Sequence, residues 1–273
     1  MTISIVVFDS SMQVLIQCLS SLFYAISYFR AGNGKDSKVI IYIVNNGETG
    51  ISGYLRDEGI FRQFEKINSI LRVEEGHGNI GYGQAQNLVL NRDTNDFHVF
   101  MNPDVRVAFN SLSEGAEFLK TDPSVMAISP KCRSPKGEFQ FLCKTYPSVF
   151  ELFLRGFAPR SLKEYYRDRL ARHEIRNIAW LSHKVGVPII SGCFMFCRKA
   201  AIQQVSGFDE KYFLYFEDFD LSLRLGQIGN LAFVGDVMIE HAGGNASKKG
   251  LKHILMFMNS AYKFFSTHGW KWL

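Results

Sequence analysis

The chain opens Thr2-Ile3-Ser4-Ile5-Val6-Val7-Phe8, an apolar, β-branched run that halts at Asp9-Ser10-Ser11. Such a run predicts a buried strand, and the polar triplet after it predicts a helix N-cap. Leu15, Leu19, Leu22, Ile26 and Phe29 then recur at helical spacing until Gly32-Asn33-Gly34 ends the pattern. Lys38 to Val44 is a second apolar run, closing at Asn45-Asn46-Gly47. Strand, helix and strand in that order make a β-α-β unit. The unit predicts an α/β fold with a mostly parallel central sheet flanked by helices. Ligands of such sheets gather at the carboxyl ends of the strands, here the loops after Phe8 and Asn45.

Working outward, Tyr54 to Ile67 reads as a helix and Ile70 to Glu74 as a short strand. Gly76-His77-Gly78-Asn79-Ile80-Gly81-Tyr82-Gly83 is a glycine-rich loop ahead of a helix over Gln84 to Arg92. Phe97 to Met101 reads as a strand that ends at Asn102-Pro103-Asp104, Leu112 to Leu119 as a helix, and Val125 to Ser129 as a strand. From Cys132 to His183 the chain is rich in Arg, Tyr and Phe and gives no clear period. Beyond it, Ile189 to Phe196 reads as a strand, and Lys199 to Val205 as a helix stopped by Gly207. Asp218 to Leu225 reads as a short helix and Leu231 to Val234 as a strand. Leu251, Ile254, Leu255, Met258, Tyr262 and Phe265 form a helical stripe. The organisation expected is one domain over 1–247 and a C-terminal amphipathic helical tail over 248–273.

The 273 residues suit a single large α/β domain, and nearly half of them are apolar. A net charge of +5 falls well short of a nucleic-acid-binding profile and suits anionic phosphates or an anionic membrane surface. The five cysteines are odd in number and form no Cys-x-x-Cys pair, which argues against a disulfide framework or a zinc ribbon. Buried thiols in a reducing, cytoplasmic protein are expected. Asp9 interrupts the early apolar run, and no transmembrane helix is expected.

Four constellations bear chemistry. Asp104, at a strand's carboxyl end, can hold Mg²⁺ or Mn²⁺ against a diphosphate, although Asn-Pro-Asp is also ordinary turn chemistry. Glu217, Asp218 and Asp220 crowd three carboxylates into four residues beside Tyr212-Phe213-Leu214-Tyr215-Phe216. Such crowding asks for a cation, a proton or a helix N-terminus, and one member held near a sugar can take a proton from a hydroxyl. The plain alternative is a solvated helix start. His241, ahead of Ala242-Gly243-Gly244-Asn245, is either a metal ligand or a structural histidine. Asn79 to Gly83 allows close backbone approach to an anion, but it is neither the dinucleotide fingerprint nor a phosphate loop.

Together these residues resemble an inverting family 2 glycosyltransferase of the GT-A fold, a Rossmann-like architecture, over roughly Ile3 to Asn245. The best stretch runs Ser191-Gly192-Cys193-Phe194-Met195-Phe196-Cys197-Arg198, then Gly207-Phe208-Asp209-Glu210-Lys211-Tyr212-Phe213, then Tyr215 through Arg224. Asn79-Ile80-Gly81-Tyr82-Gly83-Gln84-Ala85-Gln86-Asn87 is similar to the family's asparagine-glycine loop. Asn102-Pro103-Asp104 resembles the variant metal motif of bacterial rhamnosyltransferases of O-antigen, lipopolysaccharide and capsule assembly.

The resemblance implies Asp104 and His241 as ligands of Mg²⁺ or Mn²⁺, and Asp218 as the general base. It places Glu217 and Asp220 around the acceptor. Phe8, Asn45, Asn79, Gly81, Asn102 and Gly192 would line the nucleotide-sugar site. The chain departs from the family's pattern at Phe8-Asp9-Ser10, at Asn45-Asn46 where the family has Asp-Asn, and at Asn102, a neutral oxygen in place of a carboxylate.

The implied reaction moves a sugar, with dTDP-rhamnose the favoured donor and UDP- or GDP-sugars the alternatives, onto a saccharide or polyprenyl-linked saccharide. Rival readings are a non-catalytic nucleotide-binding module and a nucleotidyltransferase. The intact carboxylate trio opposes the first; the lack of Gly or Lys in Phe8-Asp9-Ser10-Ser11 opposes the second. Aromatic and basic residues mingle at Phe150, Phe153, Phe157, Tyr165 and Tyr166, and again at Lys248, Lys249, Lys252, Trp270 and Trp272. That mixture suits peripheral contact with the inner face of a membrane, packing on the core, or a homodimer interface.

Overall fold

The computed structural model describes residues 1–32, 34–92, 94–243 and 250–273. Asn33, Gly244, Asn245, Lys248, Lys249 and the expected boundary after 247 lie outside the described residues. The first part runs β1 (Thr2–Val7), α1 (Met12–Ala31), β2 (Val39–Asn45), α2 (Ser52–Asp57), α3 (Ile60–Lys66), β3 (Ser69–Glu74), α4 (Tyr82–Asn87), β4 (Phe97–Met101) and β5 (Val105–Val107). Then come α5 (Ser111–Thr121), β6 (Val125–Arg133), β7 (Phe139–Gln140), β8 (Cys143–Lys144), α6 (Val149–Gly156), α7 (Arg160–Tyr165) and α8 (Arg167–His173). The last part runs β9 (His183–Val185), β10 (Ile189–Ile190), β11 (Phe194–Arg198), α9 (Lys199–Gln204), α10 (Glu217–Gly226), β12 (Asn230–His241) and α11 (Leu251–His268).

The opening β-α-β unit forms as read. Ile3, Ile5 and Val7 point to one side of β1 and meet Leu15, Leu19, Leu22, Ile26 and Phe29 of α1. Val6 packs on the other side with Tyr42, Val44, Ala85 and Val89. Burial on both faces explains why the strand reads as continuous apolar sequence rather than alternation. The helix α1 is long and apolar enough to cross a membrane, with mean hydropathy 1.4, which the sequence reading did not expect. Leu15, Leu19, Leu22, Ile26 and Phe29 of this helix are buried on the sheet, while Tyr24 and Tyr28 are exposed.

The sheet order is β3-β2-β1-β4-β11-β6-β12-β5. The first four strands are parallel, as expected, and the remainder of the sheet is mixed. After a long excursion the chain enters β11 at the carboxyl end of β4, pairing Phe194 with Met101, and so runs antiparallel to both β4 and β6. β12 is parallel to β6 and antiparallel to β5.

Several element boundaries need correction. Tyr54 to Ile67 is two helices, broken where Gly59 adopts φ 70°. The helix expected over Gln84 to Arg92 ends at Asn87. The strand expected over Ile189 to Phe196 is two strands separated by Ser191 to Cys193. The strand expected over Leu231 to Val234 extends to His241, with a register shift between Val234 and Met238. Ser11 sits at the N-cap of α1 but makes no side-chain cap.

The unparsed middle holds three short helices, of which α6 begins with a full capping box between Ser148 and Glu151. On the C-terminal helix, Phe264 and Phe265 are buried against Tyr212 and Phe216. The helical stripe read from the sequence does not share one environment, since Phe265 is buried while Leu251, Leu255, Met258 and Tyr262 are exposed. The chain then turns back along α6, where the amides of Val149 and Phe150 donate to the carbonyls of Lys271 and Trp272.

Candidate active site

Asp104 stands between β4 and β5, and the register of β5 on β12 puts Val105 opposite His241. The amide of Ala242 donates to the Asp104 carbonyl. His241 Nε2 thus lies 3.4 Å from Asp104 Oδ1. His241 Nδ1 is 3.0 Å from Gln140 Oε1, and the Gln140 amide donates to the His241 carbonyl at 2.9 Å. This two-point clamp turns the Nε2 edge of the ring toward Asp104. A Cβ on Gly243 would meet both Asp104 Oδ2 and His241 Nε2 at 2.7 Å, so this glycine keeps the space at the pair open. A carboxylate with an imidazole whose other nitrogen is fixed is a fitting donor set for a divalent cation. Among the described residues no group of three or more His, Cys, Asp or Glu side chains gathers in this way.

The Ser191 to Cys193 segment links this corner to the carboxylate cluster. The Asn102 amide donates to the Cys193 carbonyl at 2.9 Å. One residue earlier, the Gly192 amide donates to Asp218 Oδ2 at 2.8 Å, and the Gly192 carbonyl accepts from the Tyr82 hydroxyl at 2.8 Å. Burial lifts the Cys193 thiol far above its ordinary range, and the charges of Asp104 and Asp218 add to that rise.

Asp218 is half-buried in the first turn of α10, and its Oδ1 accepts from the Phe219 amide at 2.9 Å. Burial raises its pKa; the amides of Gly192 and Phe219 oppose the rise. Glu217 is buried, pushed up to about 8 by desolvation and then by Asp218, and its Oε2 has no hydrogen-bond partner. Just ahead, Tyr215 and Phe216 adopt φ 70° and 65°. Left-handed backbone at bulky residues costs about 1–3 kcal/mol each and persists only where packing enforces it. The enforcement comes from α11: Phe216 packs on Phe257 and Phe264 with ring centroids 5.1 Å apart in each case, and the Tyr215 hydroxyl meets His253 Nδ1 at 2.8 Å.

Glu217 and Asp218 line a cavity of about 590 Å³ between α6 and α11. Arg155 and His253 supply polar groups to its walls, and Leu152, Phe157, Ile254 and Phe257 the apolar surface. Asp220 is turned to other work. It is almost fully buried, 2.7 Å from Arg224 Nη2 and 2.8 Å from His268 Nε2, and so ties α10 to α11.

Among the residues expected to line a nucleotide-sugar site, Phe8 is half exposed at the end of β1. Both ends of the Asn45 side chain are used within its own loop, on Thr49 and Gly47. Asn79 Oδ1 accepts from the Gly81 amide at 3.1 Å. Gly81 has φ 88°, and a Cβ there would lie 2.4 Å from the Phe213 carbonyl oxygen, so the position demands glycine. Asn46, passed over in the sequence reading, donates to the Gly81 carbonyl at 2.9 Å and ties the β2 loop to the glycine loop. Tyr82, Gln140, Arg155 and His253 were also missed as members of the site.

A curved arrangement of strand ends carrying an Asp-His pair, beside a carboxylate at a helix start, defines a class. The fold is that of GT-A glycosyltransferases. Solved structures with this architecture include GalNAc-T7 with UDP, GalNAc and Mn²⁺ (TM-score 0.61, 13% identity, 88% of this chain and 42% of that one). They also include the mannosyltransferase PcManGT from Pyrobaculum calidifontis with GDP-Man and Mn²⁺ (TM-score 0.59, 14% identity, 96% and 64%). A third is S. aureus TarS 1–349 in complex with UDP (TM-score 0.56, 14% identity, 97% and 66%).

In sequence, the chain is similar to the N-acetylglucosaminyl-diphospho-decaprenol L-rhamnosyltransferase of Mycobacterium tuberculosis, with 29% identity over 213 residues. The alignment takes in 70% of this chain, which spans 66% of the length of that relative. No family model matches the sequence. The resemblance to GT-A glycosyltransferases related to rhamnosyltransferases, read from the motifs, is borne out.

Proposed function

We propose that this chain is an inverting glycosyltransferase that moves L-rhamnose from dTDP-rhamnose onto a polyprenyl-diphosphate-linked saccharide in the assembly of a bacterial cell-surface polysaccharide. The observation that carries the reading is the placement of Asp218: its carboxylate lines the 590 Å³ cavity and accepts from the Gly192 amide, one residue before the Cys193 carbonyl that accepts from Asn102 of the Asn102-Pro103-Asp104 turn. The named activity of the mycobacterial relative supports the choice of sugar and of a lipid diphosphate acceptor. Work at the cytoplasmic face fits five buried, free cysteines.

The acceptor hydroxyl gives its proton to Asp218, which burial makes a stronger base than an ordinary carboxylate. The freed oxygen forms a bond to the anomeric carbon as the bond from that carbon to the diphosphate oxygen breaks on the opposite face. No protein nucleophile intervenes, so the configuration inverts. Glu217, protonated below about pH 8, lines the cavity as a neutral carboxyl and so adds no second negative charge beside Asp218. Asp104 and His241 Nε2 would hold Mg²⁺ or Mn²⁺, with Gln140 fixing the ring. A divalent cation there supplies charge neutralisation for the departing diphosphate. Phe8 offers an exposed ring for stacking of the base, and Arg155 a cation for the acceptor's diphosphate.

The test is a transfer assay on a panel of nucleotide sugars, dTDP-rhamnose first, with a polyprenyl-diphospho-saccharide acceptor. Asp218→Asn is expected to abolish transfer while calorimetric donor affinity stays near that of the unaltered chain. Near-normal turnover in Asp218→Asn overturns the base assignment.

A further inference from the structure

The cavity beside Asp218 has α6 as one wall, through Leu152, Arg155 and Phe157, and α11 as the other, through His253, Ile254 and Phe257. Both walls carry apolar groups on their outer sides as well. On α11, Leu251, Leu255, Met258 and Tyr262 follow i, i+4, i+7, i+11 spacing and share one face. All four are exposed, Leu251 by 79% and Leu255 by 70%. On α6, Phe153 is exposed, and its ring stacks at 6.4 Å on the exposed ring of Phe157 at the cavity's edge. Exposed Trp270 and Trp272 stack at 5.1 Å, on the segment that the first amides of α6 hold in place. A stripe of this extent is unusual on the surface of a free monomer.

The charge around the rim is predominantly positive. Residues 250–273 contain no Asp or Glu, and residues 149–163 contain only Glu151. Glu151 is buried and paired with Arg169. α6, α11 and the segment after it carry Arg155, Lys252, Lys263 and Lys271; the neighbouring α7 adds Arg160 and Lys163 and one exposed acid, Glu164. A second copy of the chain would set these cations against each other. An anionic bilayer offers them counter-charge, takes the leucines and methionine into its apolar layer, and seats Trp and Tyr at the headgroup level.

We infer that the rim formed by α6, α11 and the Trp270–Trp272 segment docks on an anionic bilayer, so that the mouth of the Asp218 cavity opens at the membrane surface. The lipid chain of the acceptor then stays in the bilayer while its head enters between the two helices. The second part rests on the proposed lipid-linked acceptor; the docking itself does not.

The experiment is flotation of the full chain with vesicles of phosphatidylglycerol and phosphatidylethanolamine, against phosphatidylcholine alone, at physiological salt. The chain is compared with Leu255→Gln/Met258→Gln, whose side chains do not line the cavity. Binding to anionic vesicles is expected to be about tenfold tighter than to neutral ones, to weaken with salt, and to fall about tenfold in the double variant. The melting temperature should not change. In the same variant, kcat/KM should fall for a long-chain acceptor in vesicles and hold for a short-chain, water-soluble acceptor. A chain that stays unbound from anionic vesicles overturns the docking, as does a stable dimer that the double variant converts to monomer. Vesicle binding without transfer from any nucleotide sugar leaves the docking standing and removes the glycosyltransferase reading instead.

Discussion

Replacing Gly192 by alanine would put a Cβ 3.0 Å from Asp218 Cβ and 3.5 Å from its Oδ2. Relaxed carbon–carbon contact begins at about 3.5 Å, so the Asp218 side chain must retreat by roughly 0.5 Å. The retreat also stretches the 2.8 Å hydrogen bond from the Gly192 amide. A displacement of about 1 Å at reacting groups can cost about 100-fold in rate, so half that distance predicts roughly a tenfold loss of kcat. Gly192 is not among the residues with positive φ, so alanine brings no backbone strain. Steady-state kinetics, calorimetry and thermal melting together read the outcome. Turnover should fall about tenfold, while donor affinity and melting temperature hold. Unchanged turnover would refute the reasoning, because Asp218 would then not need the position that Gly192 allows it. A collapse of donor affinity with kcat intact would move Gly192 to the donor side.

Asp104→Ala should weaken donor binding measured by calorimetry in Mg²⁺ and leave any metal-free binding alone; equal affinity in Mg²⁺ removes its assigned role. Gln140→Leu should reduce the metal-dependent part of that affinity by about tenfold, since the clamp on His241 is lost. Glu217 titrates near pH 8 in the folded chain and near 4.5 when unfolded, so the folded state binds the extra proton between those values. Its contribution to stability is therefore complete below pH 4.5 and is lost as pH rises toward 8, and Glu217→Gln should flatten the fall in melting temperature over that window. Phe264→Ala removes a fully buried ring and should cost about 3–5 kcal/mol in denaturant unfolding. It should also lower kcat, because Phe264 helps to hold the left-handed turn ahead of Asp218.

The parts of this molecule that can be read from sequence are those whose causes are local. Thr2 to Phe8 and Lys38 to Val44 are apolar at every position because both faces of those strands are covered, and that pattern is visible without coordinates. The direction of β11 is not visible, since it depends on where a long excursion returns the chain to the sheet. Asp104, Asp218, His241 and Gly192 stand out in the sequence by motif, but Gln140 does not, and neither do the contacts that Gln140 and Gly192 make. Gln140 reaches His241 across 101 residues, and Gly192 reaches Asp218 across 26. Arg155 and His253 come from elements that meet only in the folded chain. Tyr215 and Phe216 carry no glycine signal for their left-handed backbone. Asp220 looked like part of the carboxylate cluster, but its partner His268 lies 48 residues on. One missed feature was legible: Ser148-x-x-Glu151 is a capping-box pattern that announces α6.

The central claim is a single displacement at the anomeric carbon with Asp218 as base. It is tested most directly by incubating the chain with dTDP-rhamnose, Mg²⁺ and a polyprenyl-diphospho-saccharide, and determining the anomeric configuration of the product by NMR. The account predicts addition of one deoxyhexose, linked with the configuration opposite to that in the donor, and no product from Asp218→Asn. A product that retains the donor's configuration would contradict it.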